Sequence, residues 1–144
     1  MKRAISLLLT VGVVGGFVVL TTASAHQSRP KPPHVATTIT HDGDVALGGN
    51  RFLLTGQVKA GNRLCRGNRP VEVIAHLTNG DVSVLDTDES SEKGSWSVKA
   101  DLTGVQRVKA IAVKEAVAEI GFRHHHQYHR SAVCKAAAVA WRVD

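Results

Sequence analysis

His124-His125-His126-Gln127-Tyr128-His129 is the segment whose side chains are best suited to chemistry. Neutral imidazole nitrogen is a good ligand for zinc, copper or nickel, and four histidines within six residues are a compositional sign of metal binding. On an extended chain His124 and His126 share a face, His129 folds back toward them, and Glu119 is the nearest carboxylate that can complete a set. The competing expectation is a solvated loop, Phe122 to Arg130, because a specific site needs three or four ligands held by a second layer of contacts.

Three further groups call for the same weighing. His26 becomes the N-terminal residue if the segment before it is removed. Its amine and ring would then chelate copper together, with His34, His41 or His76 as the other ligand. Asp86, Asp88, Glu89 and Glu92 crowd one stretch and suit a hard cation such as calcium, although the spacing is not that of a helix–loop–helix calcium site. The serines and histidines form no Gly-x-Ser-x-Gly or His-Glu-x-x-His pattern, and no glycine-rich phosphate loop occurs. The expectation is a protein that is not an enzyme.

These residues sit on a chain with a secretory start. Met1-Lys2-Arg3 is positive, Ala4 to Leu20 is apolar, and Ala23-Ser24-Ala25 is a small-x-small cleavage pattern. Residues 1–25 read as a signal peptide; the alternative is an uncleaved anchor, for which the apolar run is slightly short. Cleavage leaves 119 residues with no membrane span. Without Lys2 and Arg3, 16 basic residues stand against 12 acidic ones, a net charge of +4. The basic residues are scattered and no aromatic-rich strand accompanies them, which argues against nucleic acid as partner. The expected location is extracytoplasmic, and an even cysteine count there predicts one disulfide, Cys65–Cys134. It closes a loop of about 70 residues, worth roughly 4 kcal/mol in the chain-entropy description.

Residues 26–34 carry three prolines and read as a disordered leader, followed by a domain over 35–144. Val35 to Ile39 suits a first edge strand, and His41-Asp42-Gly43-Asp44 a turn. Period-two alternation marks strands over Phe52–Lys59, Val71–Thr78 and Ser95–Lys99, with Asn79-Gly80 as a hairpin turn. Thr87 to Gly94 reads as a polar loop. Residues 105–120 suit either helix or strand, and the β-rich neighbours favour a strand through Lys114. Ala137 to Val143 is the last strand. The predicted fold is all-β, a small antiparallel sandwich. Its core is expected to include Phe52, Leu54, Val58, Val71, Val73, Trp96, Val98, Ile111, Val139 and Trp141.

The order of five short motifs resembles a known module. Leu54-Thr55-Gly56-Gln57-Val58, Arg69-Pro70-Val71-Glu72-Val73, Thr87-Asp88, Gly94-Ser95-Trp96-Ser97-Val98 and Leu102-Thr103-Gly104 are followed by the apolar strand Val108 to Val113. This order is similar to the prealbumin-like sandwich of carboxypeptidase regulatory-like and Cna-B-type domains. The cysteine positions resemble those of small secreted actinobacterial versions. The resemblance covers about residues 52–114 and implies a non-catalytic binding or scaffolding module. The modest positive charge, separately, suits an anionic cell-envelope polymer as partner, with another envelope protein as the other expectation. The alternative is a small extracytoplasmic protein that binds zinc, copper or nickel through His124, His125, His126 and His129. Positive charge on the segment flanked by Arg123 and Arg130 is expected to rise as pH falls through about 6.5, the ordinary histidine value.

Overall fold

Alternating apolar residues drive the described part of the chain into ten strands. The computed structural model describes residues 30–124 and 126–143; the expected signal peptide, His26 and His125 lie outside the described residues. The strands are β1 (His34–Val35), β2 (Thr37–Gly48), β3 (Arg51–Ala60), β4 (Pro70–Leu77), β5 (Val82–Glu89), β6 (Ser95–Asp101), β7 (Val105–Ala112), β8 (Glu115–Arg123), β9 (His126–Cys134) and β10 (Ala137–Arg142). One 3-10 turn, Arg63–Cys65, follows β3, and the Asn62 side chain caps it by accepting from the Leu64 N–H.

Two antiparallel sheets, ordered β2-β3-β6 and β10-β7-β4-β5, form the sandwich. Ile39, Leu54, Val58, Trp96, Val98 and Ala100 point inward from the first sheet. Val71, Val73, Ala75, Val108, Ala110 and Ala112 meet them from the second. The rims are closed by polar and aromatic contacts. His41 of β2 stacks on Trp141 of β10, with ring centroids 3.7 Å apart and planes within 5°. Asp88 of β5 accepts from the Ser97 N–H of β6 at 2.7 Å.

A third sheet stands apart from the sandwich. It is the β8–β9 hairpin, to which β1 adds in parallel with Val35 opposite Cys134. A small apolar cluster of Cys65, Ala132 and Cys134, with Val35, Ala60 and Val117 against it, lies under the hairpin's root. The predicted disulfide is present between Cys65 and Cys134, with Cα atoms 5.3 Å apart.

Most sequence expectations match this architecture, and the departures have physical reasons. His41–Asp44 is not a turn. It stays in β2 because β3 pairs along its whole length, and a register shift between His41 and Gly43 absorbs the polar residues. The predicted loop from Thr87 is shorter, since Pro70 and Val71 hold Glu89 and Asp88 in register and extend β5. The ambiguous stretch from Val105 is strand, but its phase puts Val108, Ala110 and Ala112 inward and leaves Ile111 half-buried outside the core. Phe52, Val139 and Trp141 are partly buried against the core, and Leu54, Val58, Val71, Val73, Trp96 and Val98 lie within it. His34 leaves the predicted leader by pairing with Val133. The predicted histidine loop is instead the end of the β8–β9 hairpin.

Gly56 shows how closely the first sheet packs. A Cβ there would lie 1.9 Å from the Thr40 carbonyl oxygen and 2.6 Å from the Trp96 ring, which lies across the glycine. Backbone cannot yield as a flexible side chain can. Gly56→Ala is expected to destabilise the protein by about 3 kcal/mol, the upper range for overpacking a core, read by denaturant titration. A loss under about 0.5 kcal/mol, the level of a neutral surface change, would contradict this packing.

Candidate functional site

Strand pairing sorts the hairpin's side chains onto two faces, because directly opposed residues share a face. One face carries Glu115, Val117, Glu119, Gly121 and Arg123 with Cys134, Ala132, Arg130, Tyr128 and His126. The other carries Ala116, Ala118, Ile120 and Phe122 with Val133, Ser131, His129 and Gln127.

The root of the first face is clamped to the sandwich by Arg69, whose side chain has 0% exposure. Its Nη1 donates to the Cys65 carbonyl at 3.1 Å and to Thr37 Oγ1 at 3.4 Å, and its Nη2 donates to the Val113 carbonyl. Its Nε lies 3.5 Å from the Glu115 carboxylate, an ion pair without hydrogen-bond geometry. Burial pushes the guanidinium below its ordinary pKa, and the neighbouring Glu115 charge opposes that shift. The Arg69 backbone is held as well. Its N–H donates to Ser90 Oγ and its carbonyl accepts from the Ser90 N–H, both at 2.9 Å.

Beyond the root the first face becomes cationic. Arg63 donates to the Glu119 carboxylate at 2.7 Å, so this acidic side chain is already engaged. Arg130 sits opposite Glu119 and lies 5.1 Å from the centre of the Tyr128 ring. Tyr128 in turn lies on Gly121, where a Cβ would come within 2.4 Å of its ring. Beside this face an open cleft of about 570 Å³ separates the 3-10 turn from β8 and the turn before β6. Arg63, Arg66, Lys93 and Asn68 line it together with Glu92 and Glu119. Elsewhere Asp101 is held below the usual carboxylate range, first by the Thr103 hydroxyl and then by the Thr103 N–H.

The described histidines of this segment, His124, His126 and His129, do not converge. His124 occupies the turn with φ +49°. His126 lies on the Arg123 side, and His129 lies on the opposite face beside Ile120. Among the described residues no group of three or more histidine, cysteine or acidic side chains is placed to hold a metal ion. His41 is used by Trp141 and by Asp44, 2.7 Å away, while His76 lies with Arg107 and Arg142 at another small cleft. Asp86, Asp88 and Glu89 run along β5, and Glu92 stands in the following turn. Arg69 and the exposed pair Ile120 and Phe122 carry no sequence signal of their roles, since burial of a charge and exposure of an apolar side chain both run against composition. No model of a known family matches the chain, and no curated protein matches it.

Arg69→Met should remove the clamp and leave three oxygen acceptors and Glu115 without their cation. The expected cost is about 3 kcal/mol, measured by denaturant unfolding of the oxidised protein. Arg69→Lys should recover less than half, because one ammonium cannot replace a planar fork. A loss below about 1 kcal/mol in the Met variant would show that burial of this charge is unimportant to the fold.

Proposed function

We propose that the protein is a secreted, non-catalytic β-sandwich module that attaches to anionic material of the cell envelope through its β8–β9 hairpin and the adjoining cleft. The observation that carries this reading is the local excess of cations: with Arg63 paired to Glu119, the cleft keeps Arg66 and Lys93 against Glu92, and the hairpin adds Arg123 and Arg130. Glu119 is already paired to Arg63, so an anionic ligand meets little opposing charge on the ribbon. Guanidinium groups fixed on a strand suit phosphate or carboxylate ligands, and bidentate geometry adds selectivity.

The sequence supports the location. The positive start, apolar run and small-x-small site of residues 1–25 fit export, and the Cys65–Cys134 bridge suits an oxidising compartment. Among the described residues no helix is long and apolar enough to cross a membrane. The resemblance to carboxypeptidase regulatory-like domains, mostly non-catalytic, agrees with a binding role; another envelope protein is the competing partner.

Co-sedimentation with purified envelope polymer tests the reading in low and high salt. Binding should weaken with salt, because the attraction is between exposed charges. The triple variant Arg66→Ser/Arg123→Ser/Arg130→Ser should bind about tenfold more weakly. Binding indifferent to salt and these charges, or no binding, would overturn it.

A further inference from the structure

The outer half of the hairpin is amphipathic in a way the envelope reading does not use. Ile120 and Phe122 stand on the same face of β8 and are 62% and 76% exposed; Phe122 is the most exposed large apolar side chain among the described residues. Their cross-strand neighbours, His129 and Gln127, offer them no apolar cover. Residues 120–130 contain no carboxylate but hold Arg123, Arg130 and four histidines. Among the described residues, the Arg63–Glu119 pair is the outermost side-chain bond joining the hairpin to the rest of the fold. The ribbon continues four residues past Glu119 on β8, about 13 Å at the usual strand rise.

We propose that this end of the hairpin is a wedge for an anionic lipid surface: Ile120 and Phe122 enter the boundary between headgroups and acyl chains while Arg123 and Arg130 meet lipid phosphate. The proposal rests on the envelope reading and narrows its ligand to a bilayer. Two observations favour lipid over a protein partner. Two isolated side chains offer far less than the roughly 800 Å² per partner of a specific protein interface, whereas interfacial binding combines a small apolar area with charge and needs no matching shape. A second copy of the chain would bring the same unopposed cations together. Tyr128, amphipathic and on the other face, suits the headgroup level.

The test is flotation of the oxidised protein with vesicles of phosphatidylcholine alone and of phosphatidylcholine and phosphatidylglycerol in equal parts, with purified envelope polymer as a parallel arm. Binding is expected to the anionic vesicles and not to the zwitterionic ones. Ile120→Ser/Phe122→Ser should weaken vesicle binding about tenfold or more and leave polymer binding unchanged. In Phe122→Trp, brominated acyl chains should quench a new emission component absent from the parent protein. Circular dichroism checks that each variant is folded. Polymer binding without vesicle binding would overturn the lipid wedge and leave the envelope reading standing. Loss of both would overturn the two together. Vesicle binding unaffected by the serine pair would overturn the role of the apolar side chains. Capture of an envelope protein that depends on Ile120 and Phe122, without vesicle binding, would assign the face to a protein partner instead.

Discussion

A guanidinium removed from water must find its partners within the protein, and this fold is arranged around where Arg69 finds them. Its partners come from three parts of the chain: Thr37 in β2, Cys65 in the nearby 3-10 turn, and Val113 with Glu115 where β7 passes into β8. No apolar residue can reproduce that set, because three of the contacts are directed hydrogen bonds to oxygen. The disulfide lies next to the same point, since the Cys65 carbonyl bonded by Arg69 belongs to the bridged residue. Covalent and ionic ties therefore act together where the hairpin leaves the sandwich. A buried ion pair is not by itself evidence of high stability, because desolvation offsets much of the attraction. Its effect here is positional: one arrangement of β8 against β2 satisfies the buried groups.

That arrangement gives the hairpin its character. Near the root, Val117 and Ala132 turn toward Cys65 and Val35 and are covered. A few residues outward the same strands have nothing to cover them, and alternation exposes cations on one side and Ile120 with Phe122 on the other. An exposed outer strand of this kind invites pairing with other chains, a hazard that unopposed like charges reduce. The same charges make the hairpin a surface for anions.

The sandwich was legible in the sequence where side chains alternate strictly. Leu54, Val58, Val71, Val73, Trp96 and Val98 fall in the core because period two leaves no choice of face, and Asn79-Gly80 turns the chain as its residue types demand. The cysteine pair was legible because two cysteines allow one bridge. Where polar residues interrupt the pattern, local chemistry misleads. His41–Asp44 has turn composition, yet β3 offers a continuous partner and the bulge costs less than breaking the ladder. Ile111 was misplaced because Ala110 and Ala112 are apolar too, so both phases look inward. The histidine cluster suggested ligands on one loop, but strand pairing divides His126 from His129, a consequence of register that composition does not contain. Arg69 stood beside Pro70 with nothing to mark it, and only the approach of Thr37 from one side and of Val113 and Glu115 from the other makes it central.

If the bridge and Arg69 hold the hairpin in place, native-state hydrogen exchange on the oxidised protein and on Cys65→Ala/Cys134→Ala is the most direct measurement. In the oxidised protein, amides of Val117–Ile120 in β8 and His129–Ala132 in β9 should open with free energies close to those of β3, β4 and β7. Without the bridge, a gap should open: the hairpin amides should lose about 2 kcal/mol more protection than the sandwich amides, the scale of a disulfide acting on one substructure. An equal fall in both sets would mean that hairpin and sandwich unfold as one unit whether or not they are joined at the root, and would contradict the clamp.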